Sequence, residues 1–284
     1  MKTATQRVIK QMISGMPATD GAGVELMRII GQPALDMLDP FLLLDAFRSD
    51  NPDDYIAGFP AHPHRGFETV TYLLNGRMRH KDNAGHEGVI GPGGIQWMTA
   101  GRGIVHSEMP EQENGLLEGF QLWVNLPADH KMDAPSYQEH SADQIPTEQR
   151  PGATIKVITG VTSQGTRGPV VQSLTQPFYL DVTLQANQIF EEPIEPGHNA
   201  FLYAIEGKTS IEDLSGKLQP LSKDQLAILS EGDSVTAKSG SDGSRFLLIS
   251  GQPLNQPVAR GGPFVMNTQQ EVRQAFKDYQ SGNF

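Results

Sequence analysis

The chain contains no cysteine, which excludes disulfides, thiolate metal sites and a cysteine nucleophile together. Positive charge is scarce: Lys and Arg total 22 against 33 Asp and Glu, a formal charge of -11. So acidic a surface repels phosphate backbones and anionic headgroups, so direct nucleic-acid binding and a membrane-surface role are not expected. No run approaches the roughly 18 consecutive apolar residues of a membrane span. The opening stretch, MKTATQRVIKQMISGMPATDG, has early positive charge but no continuous apolar segment. No signal peptide is therefore expected, and the cytoplasm is the default location.

What is plentiful is Gly (30) and Pro (20) in a chain of 284 residues, as many short strands joined by tight turns require. Short apolar runs recur from end to end, at 69–74 (TVTYLL), 120–126 (FQLWVNL), 155–158 (IKVI), 178–184 (FYLDVTL), 226–229 (LAIL) and 246–249 (FLLI). In 120–126, Phe120, Leu122, Val124 and Leu126 alternate with Gln121, Trp123 and Asn125, the period-2 pattern of a strand. Turn signals such as Asn75-Gly76 and Glu231-Gly232-Asp233 separate the runs. An all-β sandwich or barrel is expected. One helix is expected over 269–279, where Thr268 and Glu271 have capping-box spacing and Val272, Phe276 and Tyr279 share a face.

The polar segment 141–152 (SADQIPTEQRPG) is the best linker candidate. Sliding the sequence by 131 residues superposes Tyr72 on Tyr203, Gly76 on Gly207, Asp82 on Asp213, Gly85 on Gly216 and Gly101 on Gly232. Most matches are turn glycines, where a duplicated domain needs the same backbone freedom. Two related β-domains are expected, over 1–145 and 146–284.

Two clusters carry potential chemistry. His62 and His64 stand at i and i+2, as do His106 and Glu108, and in an extended chain that spacing puts both side chains of a pair on one face. Two such pairs on neighbouring strands would offer three imidazoles and one carboxylate to a single point. That donor set suits Fe(II), Mn(II), Ni(II), Cu(II) or Zn(II) and disfavours Ca(II) and Mg(II). A divalent ion so held keeps a formal charge of +1 and open positions for an oxygen anion and dioxygen. The bland alternative, solvated histidines, fits a lone HxH better than two pairs.

Residues 62–69 (HPHRGFET) followed by 96–108 (QWMTAGRGIVHSE) resemble the signature of the pirin family. Residues 38–43 (LDPFLL) and 262–268 (GPFVMNT) resemble its flanking motifs. The resemblance implies two tandem cupin (double-stranded β-helix) barrels with one metal, usually iron, in the N-terminal barrel only. Carried over residue by residue, the ligands are His62, His64, His106 and Glu108. Many cupins take the carboxylate where Glu68 stands here, whereas the pirin pattern takes it at Glu108, so Glu68 is expected close behind the ligands. The implied activity is quercetin 2,3-dioxygenase-type cleavage of a flavonol by dioxygen with release of carbon monoxide, Glu108 and then Glu68 being the candidate bases. The resemblance also implies a competing role, a regulatory protein whose metal state controls binding to a transcription factor or other partner. A cupin enzyme acting on another small molecule is the third alternative, and a monomer is expected.

The offset puts Pro193, Glu195, Ala237 and Ser239 at the four ligand positions in the C-terminal half, so that half is expected to hold no metal, with His198 solvated. His80, His86, His130 and His140 lie among polar residues and are expected to be exposed. Trp97 and Met98 are candidates for a pocket wall or for plain core. The glycine-rich stretches at 91–94 and 101–103 lack the strand–loop–helix context of a nucleotide site and are turns.

Overall fold

Alternation and turn glycines build strands throughout the computed structural model, which describes residues 5–284. Each apolar run named above lies in a strand, save that Leu126 falls one residue past the end of its strand, and the architecture is all-β with one C-terminal helix. The sheets are open and cupin-like, not closed barrels.

Two compact units form, and neither is continuous in sequence. One comprises residues 17–31, 40–142 and 254–284; the other comprises the described residues up to Met16, then 32–39 and 143–253. A single cut at 145 thus describes the middle of the chain, while each terminal segment joins the unit built from the opposite half. The cut between Ala142 and Asp143 falls in the linker candidate, but the rest of that segment is ordered. Thr147–Arg150 is an edge strand paired with Ala153–Thr159, and Arg150 binds the carboxylates of Glu148 and Glu192.

The unit bearing the histidine pairs has a seven-stranded sheet, ordered Ser136–His140, Ile95–Thr99, Phe67–Asn75, Leu117–Asn125, Phe41–Ser49, Val24–Ile30 and Met16–Asp20. Its four-stranded sheet is ordered Phe59–His64, Ile104–Pro110, Met78–Asp82 and Glu87–Ile90. Val24, Leu26, Phe47, Leu73 and Leu117 from the first pack with Met78 and Ile90 from the second. Polar functional side chains share this inward space. The other unit is a ten-stranded sheet whose core includes Ile155, Leu180, Leu202, Phe246 and Leu248.

The helix runs Gln269–Gln280 with a complete capping box from Thr268 and Glu271, each partner satisfying an otherwise orphaned N–H. Val272 and Ala275 are its buried residues, and the rings of Phe276 and Tyr279 meet Phe264.

Repetition is visible at one turn in atomic detail. Asp82 Oδ1 accepts from the N–H groups of Ala84 and His86, and Asp213 Oδ1 from those of Ser215 and Lys217. The glycines at the third positions after them, Gly85 and Gly216, both have positive φ (94° and 77°), which glycine alone adopts without strain.

Candidate metal centre

The His62 and His64 pair ends the strand Phe59–His64, and the His106 and Glu108 pair sits in Ile104–Pro110. These strands are antiparallel neighbours with His106 directly opposite His62. The i, i+2 spacing turns both pairs to one face, and the register brings them together. Ring centroids are 4.7 Å apart for His62–His64, 4.5 Å for His62–His106 and 5.0 Å for His64–His106. Their potential ligand nitrogens all lie within 4.8 Å of one another. Glu108 Oε2 is 4.0 Å from His106 Nε2.

Protonation favours lone pairs here. His62 Nδ1 lies 2.7 Å from the Pro60 carbonyl, so it carries the proton and leaves the lone pair on Nε2, which lies 3.0 Å from His64 Nε2. Burial drives the His64 imidazolium well below its usual range, aided by His106 and His62. Burial likewise lowers His106 to about 4, against the opposing pull of Glu108. Both ring nitrogens of His106, and Nδ1 of His64, are buried without a protein hydrogen-bond partner. Buried polar atoms are ordinarily satisfied. Three clustered imidazoles beside a carboxylate, two of them held neutral by burial and bearing unpartnered nitrogens, fit a first-row divalent ion by donor type.

Glu108 is held from the other sheet. Thr71 Oγ1 lies 2.8 Å from Glu108 Oε1 and 2.7 Å from Gln121 Oε1, and Gln121 Nε2 lies 3.4 Å from Glu108 Oε2. A threonine hydroxyl has one proton and cannot donate both ways. Thr71 therefore donates to one of these oxygens at a time, while Gln121 reaches Glu108 through Nε2, so both oxygens of Glu108 are held by neighbouring side chains.

Glu68 needs correction. It is one residue out of phase with Thr69 and Thr71 in Phe67–Asn75, and side chains alternate along a strand. Its buried carboxylate leaves by the opposite face, accepting from Thr99 Oγ1 at 2.8 Å. Neither Trp97 nor Met98 lines the cavity; Met98 packs with Ala100 and Ile104. Trp123 lines it instead, its ring 5.3 Å from that of His64. His80 is buried, with Nε2 3.0 Å from Glu139 Oε2, because it alternates with the outward Arg79 and Lys81. His86 is exposed on Asp82, while His130 and His140 are half-buried.

His62, His64 and Glu108 open onto a cavity of about 730 Å3. Its apolar wall includes Leu26, Leu43, Phe47, Phe59 and Trp123. In the other unit Glu195 is exposed, and His198 is buried where solvation was expected. Among the described residues, the three histidines form the one cluster of three or more candidate ligands.

Two cupin-like domains in tandem, one bearing a three-histidine cluster beside a carboxylate, define a bicupin. The pirin family model matches residues 23–124 and the model of the pirin C-terminal cupin domain matches 179–284. A pirin-like protein of Caulobacter vibrioides is 52% identical over 284 residues, covering 98% of this chain and 99% of that protein. The crystal structure of a quercetin 2,3-dioxygenase from Acinetobacter baumannii is 33% identical with a TM-score of 0.88, covering 98% of each chain. A bacterial pirin from Escherichia coli, solved in complex with nickel(II), shares the fold at 17% identity and a TM-score of 0.66 over 86% of this chain and 98% of that one. The chain belongs to the pirin family. Among its described residues no helix is long and apolar enough to cross a membrane.

Proposed function

We propose that this pirin is a metal-dependent dioxygenase that opens a flavonol of the quercetin class and releases carbon monoxide. The observation that carries the reading is the joining of three imidazoles, a carboxylate held by Thr71 and Gln121, and a largely apolar cavity in one place. The resemblance to a solved quercetin 2,3-dioxygenase along nearly the whole chain supports it.

His62, His64, His106 and Glu108 would hold one divalent ion, Fe(II) first, with Mn, Ni, Cu and Zn compatible with the same donors. When bound, such an ion supplies a cationic centre for an oxygen anion and the electron transfer that dioxygen requires. The protein does the rest. Trp123, Phe59, Phe47 and the leucines take the flat rings of the substrate out of water. Glu108 takes the proton of the 3-hydroxyl, with Thr71 and Gln121 fixing its two oxygens. Flavonol and dioxygen give a carboxylic ester of matching composition plus carbon monoxide, so Glu108 returns that proton to the product and the balance closes without solvent.

The test is anaerobic purification with metal analysis, then quercetin and oxygen. Carbon monoxide released in proportion to quercetin consumed is the expected result. A folded, metal-loaded protein that consumes no flavonol would overturn the reading and favour the regulatory role.

A further inference from the structure

A polar row crosses the cavity wall beyond the residues that hold Glu108. Register places Thr71 opposite Gln121, Gln121 opposite Asp45, and Asp45 opposite Arg28. All four line the cavity, so they form one line across four adjacent strands. The rest of the wall on the outer two strands is apolar: Leu43 and Phe47 flank Asp45 at i-2 and i+2, and Leu26 precedes Arg28 by two. A charged stripe thus crosses a greasy surface.

The row is graded in exposure. The Asp45 side chain is 5% exposed, Arg28 21% and Asp20 51%, so it runs from the buried Glu108 end towards solvent. Arg28 grips Asp45 through Nε to Oδ1 at 2.9 Å and Nη2 to Oδ2 at 2.7 Å, and reaches Asp20 Oδ2 at 2.7 Å. A carboxylate offers about four lone-pair positions, and Arg28 uses two. Buried ion pairs contribute little net stability against well-packed apolar residues, so stability alone does not account for this one. Neighbouring strands are roughly 4.8 Å apart, which puts Asp45 about 10 Å from Thr71 across the sheet.

We propose that Asp45, oriented by Arg28, determines specificity by accepting hydrogen bonds from hydroxyls on the substrate ring remote from Glu108. This rests on the flavonol reading above and adds to it a preference for adjacent ring hydroxyls. A flat molecule with an acidic hydroxyl on its central ring and two adjacent phenolic donors on the pendant ring can lie along the row.

The test is binding to the metal-loaded protein without oxygen, using quercetin (two adjacent hydroxyls on the pendant ring), kaempferol (one there) and galangin (none there), which are otherwise alike. The wild type should bind quercetin about tenfold more tightly than galangin, as the loss of one hydrogen bond to a charged group implies. In Asp45→Asn, with an unchanged melting temperature, that ratio should fall to about twofold while galangin affinity holds. Should the variant not fold, quercetin methylated at its remote hydroxyls provides the same contrast on the wild type and should bind like galangin. Equal binding of all three flavonols, full preference retained in Asp45→Asn, or methylated quercetin binding as tightly as quercetin would each overturn the assignment of Asp45 alone. Failure of every flavonol to bind the wild type would overturn the flavonol reading and this inference with it.

Discussion

Glu108 and Glu68 are both buried carboxylates within the same sequence signature, and strand phase separates them. Glu108 faces the histidines and is bonded to Thr71, while Glu68 leaves its strand by the other face and is bonded to Thr99. Glu108→Gln should therefore lower bound metal strongly, whereas Glu68→Gln should keep it near the wild-type level. Metal analysis after equal dialysis decides, and retention by Glu108→Gln with loss by Glu68→Gln would remove Glu108 from the ligand set. The imidazoles give a second expectation, for the metal-free chain. His64 and His106 are held below the ordinary histidine value by burial, so between pH 6.5 and about 4 the unfolded chain binds more protons than the folded one. Stability is then fully present above 6.5 and declines as pH falls through that window. For His106 the loss by pH 4.5 is on the order of 2 kcal/mol. Urea midpoints at pH 7 and 4.5 should fall more for the wild type than for His106→Gln; equal falls would show that His106 does not titrate this way.

Between elements, one buried lysine, its amine pushed down to about 7 by burial, ties the ligand-bearing strand in place. Lys131, 1% exposed, donates to Gly66 O at 2.7 Å, Asn125 Oδ1 at 2.7 Å and Val265 O at 3.0 Å. It joins the turn after His64, the end of the Leu117–Asn125 strand and the Phe264–Met266 strand. Gly66 is obligatory there, since a Cβ would run into the Val265 carbonyl. Lys131→Met keeps the side-chain volume but leaves three buried acceptors unpaired, and should cost about 3 kcal/mol. A denaturant midpoint within error of the wild type would refute that role. Elements of this kind mark where sequence stops being legible. The strands could be read because apolar residues alternate between turn glycines, and the helix because Thr268 and Glu271 announce its start. The pairing register could not. Thr71, Gln121, Asp45 and Arg28 lie far apart in the chain, and their shared row depends on which strands are neighbours. Glu68 was misplaced for a related reason: its distance in sequence from His64 is short, but a parity of one decides its face. His80 looked solvated because its sequence neighbours are charged, although alternation turns them outward and it inward.

At the scale of the whole molecule, the Asp82 and Asp213 turns repeat one geometry, yet the two units differ where chemistry is concerned. The 131-residue offset that superposes those turns does not hold across the ligand strands. His62 stands opposite His106, but Pro193 stands opposite Ser234, not Ala237. At the positions given by the 131-residue offset the second copy offers Glu195 as its one carboxylate and no histidine. His198 lies nearby in sequence, but its carbonyl receives Arg7 Nη1 at 2.8 Å, and a guanidinium so close repels a further cation. Coordination then fixes the stoichiometry. One carboxylate and one imidazole cannot compete for a divalent ion with three imidazoles and a carboxylate, so the folded chain should hold one metal. Glu195→Ala, at an exposed position, and His198→Gln, which preserves a polar side chain there, should both leave metal content at one per chain. His64→Ala or His106→Ala should bring it towards zero while the far-ultraviolet circular dichroism stays that of a β protein, because the apolar core does not depend on the site. Two tightly bound ions per wild-type chain, or loss of metal on changing Glu195, would show that the second copy has kept a ligand set that neither its sequence nor its register displays.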